Sequence, residues 1–510
     1  MVKIKIKNLF SEKKEIYANE GESLLEVLQR NGIFIPALCG GNKRCGKCLI
    51  KIIEGKTSFQ DTEEKRVLSN YSDDFRLACN IFLKEDLTIE IPQNFIISEK
   101  SFQEKDSSLT EKREYGFAVD LGTTTVSIRL VNLSSGRILS GINSLNPQIS
   151  FGQDIVSRIS KAYKNKEGLK RLQSVILSLL NNSFLMLMNR ENITQKELKK
   201  IAIAGNTVMT YLLLGKEVDS LAVYPFDCKE KIFQILNSKE IGFSESFDAS
   251  VYIFPIIGSF VGGDISAGFY ATDILKNKKE NILFIDIGTN GEIAIITPEK
   301  SFASSTAAGP AFEGVNISCG SLAIPGAIMS CKWNGESFDI ETIDKVMPPS
   351  GICGTGIFEF ISEALKAKLI ETNGEMKEKE IRIKENITFS IQDVREFQLG
   401  LAALKTGISL LLKKLKISFK ELDRVIISGS FGSNLKIESL ITTGLLPAFC
   451  KEKIIYAGNT SLQGAIKSLI KENSKNEIED LIKDVKHFPL STDENFQEIF
   501  IEAINFKSPE

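Results

Sequence analysis

Short segments rich in β-branched residues, separated by polar turns, organise the first ninety residues. The segments with a strand-like pattern are residues 2–7, 14–18, 49–53 and 86–91. Between the second and the third, Ser23 and Glu26 form a capping box, which opens a short amphipathic helix that ends at Asn31 and Gly32. Because strands and a helix alternate over so short a length, this part of the chain is predicted to be a small α+β unit.

Three later segments each combine an apolar strand with a glycine-bearing turn, and they lie at residues 117–127, 282–292 and 425–433. Their turn residues are Asp120, Gly122, Thr123, Thr124 and Thr125 in the first, Asp286, Gly288, Thr289 and Asn290 in the second, and Gly429 and Gly432 in the third. Turn N–H groups and threonine hydroxyls can bind phosphate oxygens, and a carboxylate at a strand end can hold a hydrated Mg²⁺. The first two segments therefore predict phosphate sites.

Composition narrows the class of protein. The chain has 510 residues, which suggests about three domains. Its hydrophobic share of 43% and charged share of 25% are those of an ordinary globular protein. A net charge of −2 gives no case for nucleic acid or an anionic membrane as the main partner. No apolar run approaches the ~20 residues of a membrane helix, and no signal-peptide pattern is present, so we expect a cytoplasmic protein.

The nine cysteines are unevenly distributed. Cys39, Cys45 and Cys48 share one glycine-bearing loop with the spacing Cys-x5-Cys-x2-Cys, and Cys79 follows later. Two bridged iron ions need four thiolates, which this group supplies. A structural zinc site usually pairs its ligands as two Cys-x2-Cys knuckles, and here there is only one such pair. The pattern therefore favours a 2Fe–2S cluster over zinc.

This segment resembles the 2Fe–2S ferredoxins, with a spacing nearer to that of adrenodoxin than to that of the plant proteins. The resemblance implies a β-grasp domain over residues 1–94 in which the four cysteines are the cluster ligands. Plant-type clusters have reduction potentials near about −400 mV, so the implied role is to pass single low-potential electrons. The polar residues 95–114 are predicted to be a linker.

The strand-and-turn segments, in their order and separation, resemble the phosphate and adenosine motifs of the superfamily of acetate and sugar kinases, chaperone ATPases, hexokinase and actin. That resemblance implies two ribonuclease H-like lobes, at 115–275 and 276–510, which clamp ATP in the cleft between them. A P-loop is excluded because no Gly-x4-Gly-Lys-Ser/Thr occurs. A Rossmann dinucleotide site is excluded because no strand is followed by Gly-x-Gly-x-x-Gly with a suitably placed acid.

Two further groups refine the predicted ATP site. Gly263 and Asp264 are similar to the Gly-Asp segment of sugar kinases, where the aspartate is the catalytic base, although Asp264 can equally be a helix N-cap. The resemblance assigns catalytic roles to Asp120, Asp264 and Asp286. Two glycine loops can line the nucleotide or form helix-entry turns, and their candidate residues are Gly309, Glu313, Gly354 and Gly356.

Taken as a whole, the chain resembles the reductive activators of corrinoid enzymes. Stretches that carry this resemblance include residues 260–264, 286–292, 307–314, 351–356, 395–399 and 428–432. It implies ATP-dependent reduction of a Co(II) corrinoid to Co(I) on the corrinoid protein of a methyltransferase system. It also implies an upstream low-potential electron donor and a homodimer.

Three alternatives stay open at the level of sequence. An activator of the 2-hydroxyacyl-CoA dehydratase type would recruit cysteines of the ATPase domain, such as Cys319 or Cys353, and has no need of a ferredoxin domain. A nucleotide-dependent redox sensor or binding module would have no electron acceptor of its own. A sugar or acetate kinase leaves the cluster without a purpose.

Overall fold

The computed structural model describes residues 1–9, 12–31, 33, 35, 48–68, 71–91, 96–99, 112–276, 279–288, 290–343, 348–429 and 431–509. The chain divides into two compact units. The first unit contains residues 1–254 and 465–474, and the second contains residues 255–464 and 475–510.

A five-stranded mixed sheet forms the N-terminal part of the first unit, in the order β2-β1-β5-β3-β4. The strands are β1 (Val2–Leu9), β2 (Glu12–Ala18), β3 (Leu49–Glu54), β4 (Phe75–Leu77) and β5 (Leu87–Glu90), with helices α1 (Leu24–Arg30) and α2 (Thr62–Val67). β1 pairs antiparallel with β2 and parallel with β5, which makes the sheet a β-grasp. Ile4, Leu28 and Ile89 lie fully buried in its core. The predicted α+β fold is confirmed.

A seven-stranded sheet forms the rest of the first unit, in the order β11-β12-β10-β7-β8-β9-β6. Its strands are β6 (Ile96–Glu99), β7 (Tyr115–Leu121), β8 (Thr125–Asn132), β9 (Ile138–Leu145), β10 (Leu198–Gly205), β11 (Leu236–Asn237) and β12 (Ser250–Ile253). The helices are α3 (Ile155–Ala162), α4 (Lys166–Arg190), α5 (Thr207–Leu213), α6 (Asp219–Ala222) and α7 (Ser238–Ile241). Three antiparallel strands, β7 to β9, are extended on one side by parallel β10 and β12, which is the ribonuclease H-like order.

The second unit repeats that order in its main sheet, β22-β21-β13-β14-β15-β23. The strands of the unit are β13 (Ile282–Ile287), β14 (Gly291–Ile296), β15 (Ser301–Thr306), β16 (Ala327–Trp333), β17 (Phe338–Thr342), β18 (Gly351–Ile352), β19 (Glu380–Lys384), β20 (Ile387–Ser390), β21 (Arg424–Ser428), β22 (Ile454–Gly458) and β23 (Val485–His487). Its helices, including two that run into residues of the first unit, are α8 (Gly263–Thr272), α9 (Gly354–Lys366), α10 (Ile391–Leu415), α11 (Ile437–Thr442), α12 (Thr460–Ile470), α13 (Ser474–Ile482) and α14 (Phe496–Ala503). The two predicted ribonuclease H-like lobes are thus present as two copies of one topology.

One predicted boundary differs from the structure. Residues 96–99 fall in the predicted linker, but they form β6, which pairs with β9 at the edge of the seven-stranded sheet. The compact units divide at residue 254, so that α8 belongs to the second unit, and the expected lobe boundary at residue 275 stays a prediction. The ring of Phe269 in α8 lies 5.3 Å from that of Phe284 in β13.

Helix α4 is the one helix in the described part of the chain that is long and apolar enough, by length and composition, to cross a membrane. Its most apolar window is 44% buried inside the protein. Leu180 and Phe184 of this helix are fully buried, and Phe184 stacks at 4.0 Å on Phe117 of β7. These contacts are those of a core helix, which passes the same test as a membrane span.

Candidate functional site

Cys48 and Cys79 lie side by side because they flank the β3–β4 pair. Leu49 pairs with Leu77, and the N–H of Ala78 donates to the carbonyl of Cys48 at 2.8 Å. The two sulfur atoms are 3.3 Å apart, and both residues are buried. Two thiolates at this separation can reach one tetrahedral metal ion with bonds of about 2.3 Å. The donor pair therefore fits one iron of a 2Fe–2S cluster, and the other two predicted ligands, Cys39 and Cys45, lie outside the described residues.

A buried carboxylate braces the segment that carries Cys79. Glu64 of α2 is completely buried and forms a bidentate ion pair with Arg76, at 2.9 and 3.0 Å. It also accepts hydrogen bonds from the backbone N–H of Leu77 at 2.7 Å and from the amide of Asn80 at 2.6 Å. Since these two donors bracket Cys79 in the chain, Glu64 fixes the backbone on both sides of the thiol.

The first phosphate-type turn joins β7 to β8. Asp120 ends the predicted strand opposite Ser127, and the turn closes where the N–H of Gly122 donates to the carbonyl of Thr125 at 3.1 Å. A Cβ on Gly122 would lie 2.5 Å from that carbonyl oxygen, so the turn requires glycine. Within the turn, Thr123 is buried and Thr124 is half-buried.

Arg158 of α3 supports this turn from inside the protein and was missed by sequence reasoning. It is completely buried, and its guanidinium donates to the carbonyl of Thr123 at 2.7 Å and to that of Gly152 at 2.9 Å. A buried cation behind a turn that presents N–H and hydroxyl groups makes the local potential more positive, which favours an anion. No sequence signal marks Arg158, because only the fold brings α3 behind the turn.

The second phosphate-type turn follows a carboxylate, Asp286, that a hydroxyl group from another strand holds in place. Asp286 accepts a hydrogen bond from the hydroxyl of Ser428 at 2.9 Å, and that hydroxyl lies 2.5 Å from the hydroxyl of Thr460. Ser428 and Thr460 are both buried. Gly429 follows with a φ of +89°, and a Cβ there would lie 2.7 Å from Oδ1 of Asp286. The glycine segment at residues 425–433 therefore packs directly against the carboxylate of Asp286 in the segment at residues 282–292.

Glu292 joins Asp286 and Asp264 in one acidic group. It pairs with Asp286 across the β13–β14 hairpin, is 6% exposed, and accepts a hydrogen bond from Ser305 at 3.3 Å. Burial, followed by the negative charges of Asp264 and Asp286, raises the pKa of Glu292 well above its usual range. Glu292 was missed as a site residue, although the hairpin pattern over residues 282–292 contains the register that places it opposite Asp286.

Asp264 lies in the first turn of α8 and is half-buried. The N-cap of that helix is Gly262, and the Asp264 carboxylate accepts from the N–H of Ile265 at 2.9 Å. Asp264 is therefore the second residue of the helix and not its N-cap, as the alternative interpretation has it. Within the described residues no group of three or more His, Cys, Asp or Glu side chains has metal-holding geometry. That finding does not conflict with Mg²⁺, which usually keeps several waters and takes only one or two carboxylates.

Several of the remaining candidates lie in or near the β13–β14 turn. Gly288 and Asn290 form the β13–β14 turn, where the N–H of Gly288 donates to the carbonyl of Asn290 at 3.1 Å. Glu313 reaches this turn, since its Oε1 lies 3.9 Å from the Cβ position of Gly288. The other candidates are Gly309, with a φ of +75°, Gly263 and Gly432, both buried at the start of helical turns, and Thr289, which lies outside the described residues.

Gly354 and Gly356 begin helix α9 and have a packing reason to be glycine. A Cβ on Gly354 would lie 1.8 Å from the carbonyl oxygen of Phe312, and one on Gly356 would lie 2.4 Å from that of Ile328. These positions agree with the helix-entry alternative. A contribution of either glycine to nucleotide binding stays a prediction.

Three family models match successive parts of the chain. Residues 8–84 match the 2Fe–2S iron-sulfur cluster binding domain, residues 115–277 match the RACo middle region, and residues 280–510 match the C-terminal domain of RACo, the ASKHA domain. The order of the matches agrees with the order of the three sheets. The first match means that the N-terminal domain is of the 2Fe–2S cluster-binding type.

Two curated relatives and one solved structure are similar over most of the chain. The chain is 30% identical over 473 residues to the corrinoid activation enzyme RamQ of Eubacterium limosum, covering 86% of this chain and 77% of the relative. It is 26% identical over 425 residues to the [Co(II) methylated amine-specific corrinoid protein] reductase of Methanosarcina barkeri, covering 77% of each. The solved structure is a reductive activator for corrinoid, iron-sulfur protein, with a TM-score of 0.71 and 26% identity over 99% of this chain and 98% of that one.

Proposed function

We propose that this chain, which belongs to the family of reductive activators of corrinoid proteins, transfers an electron from its own 2Fe–2S domain to a Co(II) corrinoid protein in a step driven by ATP. A cluster held by the four cysteines of this domain would, when reduced, supply the one electron that converts Co(II) of the partner to Co(I). An upstream low-potential donor then supplies the next electron. The product, Co(I), is the methyl-accepting form of the corrinoid.

The observation that carries the proposal is the joining, in one chain, of a 2Fe–2S domain to an ASKHA domain along the full length of a solved activator. An isolated ferredoxin passes electrons downhill without a nucleotide. An isolated ATPase has no electron to give. A chain that combines both is suited to an electron transfer that needs a free-energy input.

We assign the cluster to Cys39, Cys45, Cys48 and Cys79. When bound, the cluster supplies a single electron at low potential. The support from the described residues is the buried Cys48–Cys79 pair, with its sulfur atoms 3.3 Å apart. The protein contributes rigidity here, because the Glu64 carboxylate holds the backbone on both sides of Cys79.

We assign ATP to the two phosphate-type turns and Mg²⁺ to the carboxylates beside them. In the first unit the turn is that of residues 120–125, supported by Arg158. In the second unit it is that of residues 286–292, where the hydroxyl of Ser428 orients Asp286. The half-buried carboxylate of Asp264 is proposed to orient the attacking water.

ATP is needed because the reduction of Co(II) is energetically uphill for the cluster. Each 59 mV of uphill one-electron transfer lowers the equilibrium constant about tenfold. Nucleotide binding can offset this only if ATP has unequal affinity for two conformations of the activator. We propose that the ASKHA domain supplies this two-state element when ATP binds.

The dehydratase-type alternative is disfavoured by the cysteines it would use. Cys353 is 2% exposed, and burial, together with the charge of Asp393, raises the pKa of Cys319 to about 12. A cluster shared between two copies of a chain needs thiolates that reach the surface. Cys353 is buried, and Cys319 is half-buried with a thiol that stays protonated at neutral pH. A homodimer and a cytoplasmic location remain predictions from the sequence.

The test is an anaerobic reduction. The protein is mixed, with its cluster reduced, with a Co(II) corrinoid protein from a methyltransferase system, and the Co(I) absorbance is followed with and without Mg-ATP. We expect Co(I) to form only with Mg-ATP. If the cluster and the ATPase activity are intact and no Co(I) forms with several such partners, the sensor alternative replaces the proposal.

Matched variants distinguish the cluster site from the nucleotide site. Cys79→Ser should abolish Co(I) formation and the visible cluster spectrum while Mg-ATP still binds, and the buried Cys228→Ser serves as its control. Asp286→Asn should abolish ATP-dependent Co(I) formation while the cluster spectrum persists. The exposed Asp339→Asn is the control for that change. If either site variant removed both properties, the assignment of separate sites would be wrong.

A further inference from the structure

On the basis of the proposed nucleotide site, we propose that the segment Ile504–Lys507 is a strap with Lys405 as its anchor. The strap positions the 308–313 loop and strand β14, and it does so through helix α10. The four residues of this segment follow α14 near the C-terminus of the chain. Neither the proposed chemistry nor the family motifs account for Lys405. It lies on α10 and is 4% exposed.

The anchor is a buried cation that binds backbone. The ammonium group of Lys405 donates to the carbonyl of Asn505 at 2.7 Å and to that of Lys507 at 2.8 Å. Burial lowers its pKa to about 8, which leaves the ammonium mostly charged at neutral pH, and the two carbonyls accept hydrogen bonds from it. A lysine buried in this way is expensive to maintain as a packing residue alone.

A second attachment uses the Arg395–Gln398 segment, which the proposed function leaves unexplained. The Gln398 amide donates to the carbonyl of Ile504 at 3.0 Å and to that of Asn373 at 3.3 Å. Arg395 donates to Oε1 of Gln398 at 2.5 Å and thereby fixes the orientation of the amide. The strap is therefore attached to α10 at two places, two helical turns apart.

Two other parts of the chain hold the same segment. The N–H of Phe506 donates to the carbonyl of Thr372 at 2.7 Å, and its ring lies 6.2 Å from that of Phe397. Gly444 has a φ of +78°, and a Cβ there would lie 2.5 Å from the carbonyl oxygen of Lys507. Backbone from two further segments, together with two side chains of α10, thus surrounds these four residues.

Two other residues of α10, Gly400 and Leu404, contact the loop and the hairpin of the proposed nucleotide site. A Cβ on Gly400 would lie 2.5 Å from the carbonyl oxygen of Ala308, which begins the loop that carries Gly309 and Glu313. Leu404, the neighbour of Lys405, packs so closely on Gly291 that a Cβ there would lie 2.2 Å from its Cδ2. Gly291 directly precedes Glu292 at the start of β14. A shift of α10 therefore moves the loop and the acidic hairpin together, because close-packed contacts transmit displacements.

The test measures Mg-ATP affinity of the full-length, cluster-loaded protein. The variants are Lys405→Met, Lys405→Arg and a chain that ends at Ala503. The exposed Lys413→Met, on the same helix, is the matched control. The buried core substitution Leu422→Ala, outside the contacts named above, controls for loss of stability alone. We expect Lys405→Met and the truncation to weaken Mg-ATP binding about tenfold, a normal size for coupling between distant sites.

Three comparisons decide the outcome. Lys405→Arg should restore most of the affinity, because arginine keeps the charge and the donors, and Lys413→Met should not change it. Lys405→Met should lose more affinity than Leu422→Ala at equal loss of thermal stability. If Lys405→Met and the truncated chain bind Mg-ATP as Leu422→Ala does, the strap is only structural and the inference is wrong. If the unaltered protein does not bind Mg-ATP, the proposed nucleotide site itself is wrong.

Discussion

Asp286 and Glu292 face each other as a registered cross-strand pair in the β13–β14 hairpin, and the two residues are held very differently. Asp286 is half-buried and accepts a hydrogen bond from Ser428, whereas Glu292 is almost completely buried beside two other carboxylates. Burial, followed by the negative charges of Asp264 and Asp286, raises the pKa of Glu292. The protonated form of Glu292 is therefore favoured.

Glu292→Gln should change how stability depends on pH. Because the pKa of Glu292 is raised in the folded protein, the folded state holds its proton more tightly than the unfolded state does. Its contribution to stability is thus complete below the ordinary glutamate pKa and is lost as the pH rises through the raised value, with a slope of up to about 1.4 kcal/mol per pH unit. Thermal unfolding without Mg²⁺ or nucleotide, between about pH 5 and pH 8, should show a smaller decline for Glu292→Gln than for the unaltered protein.

The control for this prediction is Glu385→Gln, at an exposed position of the second unit. It should reproduce the pH dependence of the unaltered protein. Identical pH profiles for Glu292→Gln and the unaltered protein would mean that Glu292 titrates normally despite its burial.

Thr460→Val should weaken Mg-ATP binding without disturbing the cluster. The hydroxyl of Thr460 lies 2.5 Å from that of Ser428, which in turn donates to Asp286. Without Thr460, the Ser428 hydroxyl loses a partner and Asp286 loses its fixed orientation. We expect an affinity loss of about fivefold, which corresponds to about 1 kcal/mol for one hydrogen bond. Titration calorimetry with Mg-ATP measures it.

The control for Thr460→Val is Thr443→Val. Thr443 is also buried, and its hydroxyl donates to the Ser439 carbonyl at 2.7 Å. This control should leave Mg-ATP affinity unaltered. Equal losses for the two valine variants would show that the hydroxyl of Thr460 has no special relation to the nucleotide.

Glu64→Gln should destabilise the cluster-binding domain strongly. The change leaves the buried guanidinium of Arg76 without its bidentate carboxylate and weakens the bonds to Leu77 and Asn80. Breaking one partner of a buried ion pair costs about 3–5 kcal/mol. The visible absorbance of the cluster should therefore disappear at a much lower urea concentration than in the unaltered protein.

The exposed pair of Lys3 and Glu15 provides the comparison, at a separation of 2.7 Å. Glu15→Gln should lower stability by less than about 1 kcal/mol, because water screens surface ion pairs. A urea midpoint for Glu64→Gln that matches that of Glu15→Gln would contradict the bracing role of Glu64.

The sequence predicted the features that depend on local pattern. The strand at Asp120 and the strand at Asp286 both end in the predicted turns, because an apolar run followed by Gly-Thr has few other local solutions. The cysteine spacing likewise predicted that Cys48 and Cys79 would lie together. In each case the residues that carry the signal are neighbours in the chain or belong to a motif of fixed spacing.

The residues that were missed act through tertiary contacts. Arg158 reaches the Thr123 carbonyl from another element, and Thr460 reaches Ser428 from the start of α12. Strand β6 was predicted as linker because its polar neighbours mask a four-residue edge strand, whose pairing depends on β9. Propensity carries little information at such positions, since the partner strand decides the conformation.

Gly429→Ala should lower the stability of the protein and should also weaken nucleotide binding, for two different reasons. A φ of +89° disfavours any residue with a Cβ by about 1–2 kcal/mol. In addition, the new methyl group would lie 2.7 Å from Oδ1 of Asp286, so the carboxylate must move. Gly335 isolates the first effect, because its φ is +108° and nothing lies within 4 Å of its Cβ position. Both alanine variants should therefore lower the melting temperature, but only Gly429→Ala should also weaken Mg-ATP binding. If Gly335→Ala weakened Mg-ATP binding equally, backbone strain alone would explain the loss, and Gly429 would have no role in setting the position of Asp286.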